Sequence, residues 1–146
     1  VKITIRNLQK SFPVSRKRIK GLILKTLSCE ARNKKGIAEI AVFLVSDREI
    51  ARINRLYLGR KSPTDVIAFD LSGPDNRLFA DIVVSTQRAR ANAKRFATSA
   101  MFEIELYVVH GLLHILGYND RNKKEACLMQ SKAENIILCP SKKRKP

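Results

Sequence analysis

The stretch Asp65–Val84, DVIAFDLSGPDNRLFADIVV, decides the fold. Asp65-Val66-Ile67-Ala68-Phe69 reads as one strand and Leu78 to Val84 as the next, with the turn cluster Gly73-Pro74-Asp75-Asn76 between them. No helix separates these two strands. Pro63 stops the segment before them. Upstream, Val1-Lys2-Ile3-Thr4-Ile5-Arg6 alternates apolar and polar residues as a first strand does, and the nearly all-apolar run from Ile37 to Val45 reads as a strand buried on both faces. Ser15 is placed to cap a helix carrying the stripe Ile19, Ile23 and Leu27. Ser46 and Glu49 form a capping-box pattern for a second helix, with Ile50, Ile53 and Tyr57 on its inner side.

Downstream the pattern changes to helices alone. Ser85 caps a segment with Ala89, Ala93 and Phe96 on one side. Met101 to Leu116 is a long apolar helix, with Glu103 and Glu105 near its start to suit the dipole and Gly117 as its stop. Asn122 and Glu125 open a last helix with Ala126, Met129, Ala133 and Ile136 or Ile137 turned inward. The order βαβαββααα predicts an α+β protein: a single domain with a small four-stranded mixed sheet and about five helices. Residues 1–140 form that domain, and residues 141–146 (Ser-Lys-Lys-Arg-Lys-Pro) a basic, disordered tail.

The chain has 146 residues, with 29 Lys and Arg against 13 Asp and Glu and a formal charge of +16. That excess points first to a polyanionic partner such as nucleic acid. No apolar run approaches the roughly 20 residues of a spanning helix, and the start does not resemble a signal peptide, so no membrane partner is expected. Cys29, Cys127 and Cys139 contain no CxxC and read as reduced, small core residues of a cytoplasmic protein. Arg16, Lys17 and Arg18 give the first helix an N-terminal turn of the wrong sign for its dipole. A solvated basic turn and an anion nearby are both open readings.

The only two histidines are His110 and His114, at the helical spacing that aims both imidazoles at one cation. Their surroundings, Val108-Val109-His110-Gly111-Leu112-Leu113-His114-Ile115-Leu116, are too apolar for a surface. A shared ion gives buried imidazoles a partner; a pair of hydrogen-bonded core histidines is the alternative. After Gly117, Tyr118 and Asn119, a turn can bring Asp120 back toward them. Two histidines and a carboxylate with a fourth position open is the catalytic zinc pattern. A plain turn or capping residue is the other reading of Asp120. Gly111 follows His110 where the HExxH proteases have their glutamate base, which argues against a metallopeptidase.

His110-Gly111-Leu112-Leu113-His114-Ile115-Leu116-Gly117-Tyr118-Asn119-Asp120 resembles the HGxLHLxGYDH signature of the YbeY family. Ile53-Asn54-Arg55-Leu56-Tyr57 with Pro63-Thr64-Asp65-Val66-Ile67-Ala68-Phe69 is similar to that family's LNxxYR…PTDVLSF block. Ala80-Asp81-Ile82-Val83-Val84-Ser85 is similar to its GDIxIS strand, and Glu134-Asn135-Ile136-Ile137-Leu138 to its closing helix. The resemblance implies a single-strand-specific, metal-dependent endoribonuclease in 16S rRNA maturation and ribosome biogenesis. One zinc ion per chain would be held by His110, His114 and Asp120, with metal-activated water the only catalytic group implied. Partners would be an rRNA precursor and the small ribosomal subunit or assembly factors.

The family's third histidine falls on Asp120 and the aspartate before it on Asn119. Its arginine after the tyrosine falls on Leu58, and its glycine before the strand aspartate on Ala80. A carboxylate ligand in place of a neutral imidazole makes a zinc site one unit less positive, so bound water is less acidified. Arg60, Lys61 and Arg88 are the candidate RNA contacts. The alternative is a non-catalytic ribosome-assembly or RNA-binding factor whose metal site is structural or vestigial.

Overall fold

The computed structural model describes residues 1–31, 36–60, 64–75 and 77–139. Lys61, Pro63, Asn76 and the tail at 141–146 lie outside the described residues. The elements follow in the expected order: β1 (Lys2–Asn7), α1 (Arg16–Glu30), β2 (Ile37–Val45), α2 (Asp47–Leu58), β3 (Val66–Asp70), β4 (Leu78–Ser85), α3 (Thr86–Phe96), α4 (Ala100–Ile115) and α5 (Lys123–Leu138). Ser15, Ser46, Ser85, Ser99 and Asn122 each accept a backbone N–H from the first turn of their helix, satisfying a donor that the helix cannot. At α2 the capping box is half made, because the Glu49 carboxylate turns to Arg52 instead of reaching back.

The four strands form one mixed sheet in the order β1-β2-β4-β3. β1, β2 and β4 run parallel, while β3 pairs antiparallel with β4 from Val66↔Val84 to Asp70↔Ala80. The short link between β3 and β4 dictates that reversal. Ser72 reinforces it, its hydroxyl accepting the Phe79 N–H at 3.1 Å. β3 is therefore an edge strand.

The two faces of the sheet are covered unequally. Ile40, Val42 and Leu44 of β2 and Ile82 and Val84 of β4 point to one face, where they are sealed beneath α4 with α1 and α5 beside it. The other face carries Val45, Ile67 and Val83 under α2, with Phe43 and Phe69 only half covered. Thus β2 is fully buried on one face and partly on the other. Gly111 brings α4 tight against the sheet: a Cβ there would lie 3.0 Å from Ile82 Cγ2. Among the described residues, no single helix is long and apolar enough to cross a membrane.

Four sequence expectations about burial are corrected. Cys29, Cys127 and Cys139 are all exposed, because they fall on the outer sides of α1 and α5 and on the C-cap of α5. Tyr57 is 71% exposed, its ring meeting Phe69 edge-on at 5.8 Å, because α2 covers only part of its sheet face. Asn54, one turn after Ile50, takes the inward position instead. Phe96 is 58% exposed at the last turn of α3, and Ala126 is exposed at the first turn of α5.

Candidate functional site

The end of α4 is built by its glycine. Gly117 has φ +104, the left-handed region that favours glycine, and its N–H donates to the His114 carbonyl at 3.1 Å. The Tyr118 N–H donates to the Leu113 carbonyl at 3.0 Å, completing a Schellman turn. Tyr118 pins that turn: its hydroxyl meets Glu30 at 2.5 Å on α1, and Lys132 of α5 holds the same carboxylate at 3.2 Å. The reversed chain carries Asp120 back to the helix, with Oδ2 3.6 Å from His114 Nε2.

His110 lies one turn deeper. Its Nε2 is buried and has no hydrogen-bond partner. Burial pushes the imidazole below its ordinary pKa; Asp65, Asp120 and Glu134 oppose this, and the neighbouring His114 adds to it. The neutral ring that results is the form able to offer a lone pair to a cation.

His110, His114 and Asp120 line one cleft of about 620 Å³. It runs beside edge strand β3, between the end of α2 and the second half of α4. Arg60 lines it as well, as does Leu58. Arg88 stands elsewhere, its guanidinium 3.8 Å from Asp47 where the N-termini of α2 and α3 meet. Arg18 pairs with the buried Glu105 carboxylate of α4, which accounts for one of the basic residues opening α1.

The donor chemistry suits a zinc-like cation: two imidazoles, one of them with an orphaned buried nitrogen, and one carboxylate. Among the described residues, no three His, Cys, Asp or Glu side chains converge into a preformed cage. His110 is largely buried, whereas the His114 imidazole, expected to be buried with it, is 38% exposed because it lies at the last turn of α4, and the Asp120 side chain is 58% exposed.

Two cleft residues were missed as site residues from sequence. Asn54 is buried at 2% exposure and lines the cleft; its signal was a polar residue at an inward helical position. Asp65 enters just before β3, its Oδ1 accepting the Val66 N–H at 2.8 Å. Its signal was a carboxylate heading an apolar strand.

Comparison with known proteins places these features in a wider set. The family model described as Endoribonuclease YbeY matches residues 4–139. A protein named Endoribonuclease YbeY from Syntrophus aciditrophicus is 38% identical, covering 93% of this chain and 88% of its own. One of the same name from Moorella thermoacetica is 33% identical over 92% of this chain and 94% of its own. A solution structure from Thermotoga maritima superposes with a TM-score of 0.62 at 29% identity, covering 92% of this chain and 88% of that one.

Proposed function

Since the chain belongs to the Endoribonuclease YbeY family, we propose that it is a metal-dependent endoribonuclease that cuts single-stranded RNA. The observation that carries the reading is the cleft in which the orphaned His110 nitrogen, the His114–Asp120 pair and Arg60 share one concave surface. In this proposal His110, His114 and Asp120 hold one zinc ion. Such an ion, when bound, supplies Lewis acidity toward a phosphoryl oxygen and lowers the pKa of water. The rest falls to the chain's own side chains. Arg60 neutralises backbone phosphate at the mouth of the cleft, in place of the guanidinium that Leu58 cannot provide. Buried His110 stays neutral and fixed, while His114 and Asp120 adjust around the ion. The +16 charge draws a polyanion to the surface from any direction. The physiological substrate in this reading is an rRNA precursor on its way to 16S rRNA, met in the cytoplasm with the small ribosomal subunit or its assembly factors.

A second reading is an assembly factor that binds RNA without cutting it. The absence of a preformed three-ligand cage among the described residues and the Leu58 side chain in the cleft favour it. The two separate on one experiment: zinc-loaded protein with end-labelled single-stranded and duplex RNA, beside His110→Ala and Arg60→Ala. Endonucleolytic cuts in the single strand that vanish with His110→Ala and weaken with Arg60→Ala support the nuclease. Salt-sensitive binding with no cuts above the His110→Ala background supports the assembly factor.

A further inference from the structure

A second cavity, of about 500 Å³, lies on the far side of His110. His110 and Asp65 line both spaces, so the cavity and the cleft share a wall. Their chemistry differs. No Lys or Arg lines the second cavity, and carboxylates do, so a phosphate would be repelled there. Aromatic rings line it instead, including Phe96 and Phe102. Phe96 is 58% exposed, leaving much of its ring open to solvent. The Arg95 guanidinium lies 5.2 Å from its ring centre, leaving a cation at the rim.

Two amides complete the lining. Asn92 donates one Nδ2 hydrogen to the Tyr107 hydroxyl at 2.7 Å, and Gln130 donates one from Nε2 to Glu134 at 2.9 Å. Each bond uses one of the amide's two N–H groups, so each amide keeps its carbonyl as an acceptor beside one free N–H, and the three carboxylates Asp65, Glu103 and Glu134 make the lining predominantly accepting. A ligand that fits is flat, uncharged and rich in N–H donors.

We infer that this cavity is a nucleobase subsite that stacks an amino-bearing base (adenine, cytosine or guanine, but not uracil) on Phe96, beside the cleft. The inference rests on the endoribonuclease reading and names its local specificity. The base enters between Phe96 and the amides, and its flanking phosphate points to Arg95 on one side and to the His110 cleft on the other. Stacking on an exposed ring tolerates any base; the acceptor-rich floor selects those with an exocyclic amino group.

The test maps cut sites in a random-sequence single-stranded RNA with zinc-loaded wild type, Phe96→Ala, Phe96→Tyr and Gln130→Ala. Phe96 is exposed, so its replacement leaves the fold intact. The expected result is depletion of uracil at one position flanking the cut. Phe96→Ala should raise KM about tenfold with little change in kcat, Phe96→Tyr should keep the wild-type value, and Gln130→Ala should relax the depletion. If wild type cuts with no base bias, or Phe96→Ala matches it in KM, the subsite is refuted while the nuclease stands. A second arm follows fluorescence of a single 2-aminopurine placed along an uncleaved RNA. Quenching by wild type that is lost in Phe96→Ala supports the subsite even where no cutting occurs, and equal fluorescence in both overturns it.

Discussion

The two halves of α4 pack against the same core and treat their polar groups differently, the second also opening to solvent at His114. In the first half, the buried carboxylates and the tyrosine hydroxyl each meet a group on another element or on the preceding loop, although Glu105 Oε1 has only the ion pair with Arg18 and no regular hydrogen bond. Glu103 accepts from Thr98 at 2.6 Å, Glu105 pairs with Arg18, and the Tyr107 hydroxyl accepts from Asn92 at 2.7 Å. In the second half, His110 Nε2 is buried with no partner, and His114 stands 3.6 Å from Asp120, beyond hydrogen-bond range. Folding normally satisfies such groups, because an orphaned one costs about 1–3 kcal/mol. The first half therefore holds α4 in place, and the second leaves its donors for something that is not part of the chain.

Substitutions can break that contrast or sharpen it. The largest expected effect is at the glycine between the two histidines. Gly111→Ala puts a methyl 3.0 Å from Ile82 Cγ2, and overpacking of this kind costs about 1–3 kcal/mol. Chemical denaturation should show the loss, and zinc affinity should fall with it as the helix is pushed off the sheet. Next is Arg18→Met, which strips the partner from the buried Glu105 carboxylate. The cost should be about 1–2 kcal/mol, the smaller end of such losses because Arg18 is largely exposed. His110→Leu should behave oppositely: it replaces an orphaned polar group by an apolar one and should leave metal-free stability unchanged or raise it by about 1 kcal/mol, while abolishing metal binding. A loss of stability there matching that of Arg18→Met would erase the distinction between the halves.

The smallest effect is in pH dependence. Burial, its main cause, lowers the His110 pKa from the ordinary 6.5, so the unfolded chain takes up the proton first. The stability this group supports is present above 6.5 and is lost as pH falls from there through the lowered value. Denaturation midpoints of metal-free wild type, taken from about pH 8 to about pH 5, should decline more steeply than those of His110→Leu. Parallel curves would mean the imidazole is not held neutral.

Much of this was legible in the residues because the fold is written in local signals. The serines at 15, 46 and 85 and Asn122 cap helices as their positions imply, and the bare turn between β3 and β4 gives the antiparallel pair that makes the sheet mixed. Burial at element ends was less legible. Tyr57 and Phe96 fit an apolar stripe, yet whether a last turn is covered depends on how far a neighbouring element reaches. For Cys29, Cys127 and Cys139 the residue type favours the interior, but the outward helical faces of the first two and the C-cap position of the third do not. At the site, the spacing of His110 and His114 was plain in the sequence, whereas Asp65 and Asn54 come from distant segments that only the sheet edge brings to the same cleft.

The central claim is that the second half of α4 is held open for a metal ion, and zinc stoichiometry tests it most directly. Protein purified without a metal-affinity column, then titrated with zinc against a chromogenic competitor, should bind about one ion per chain. His110→Ala and His114→Ala should lose that ion, and Asp120→Ala should bind it more weakly while Asp120→His retains it. A folded wild type that takes up no zinc, or one whose affinity is unchanged in His110→Ala, would contradict the account.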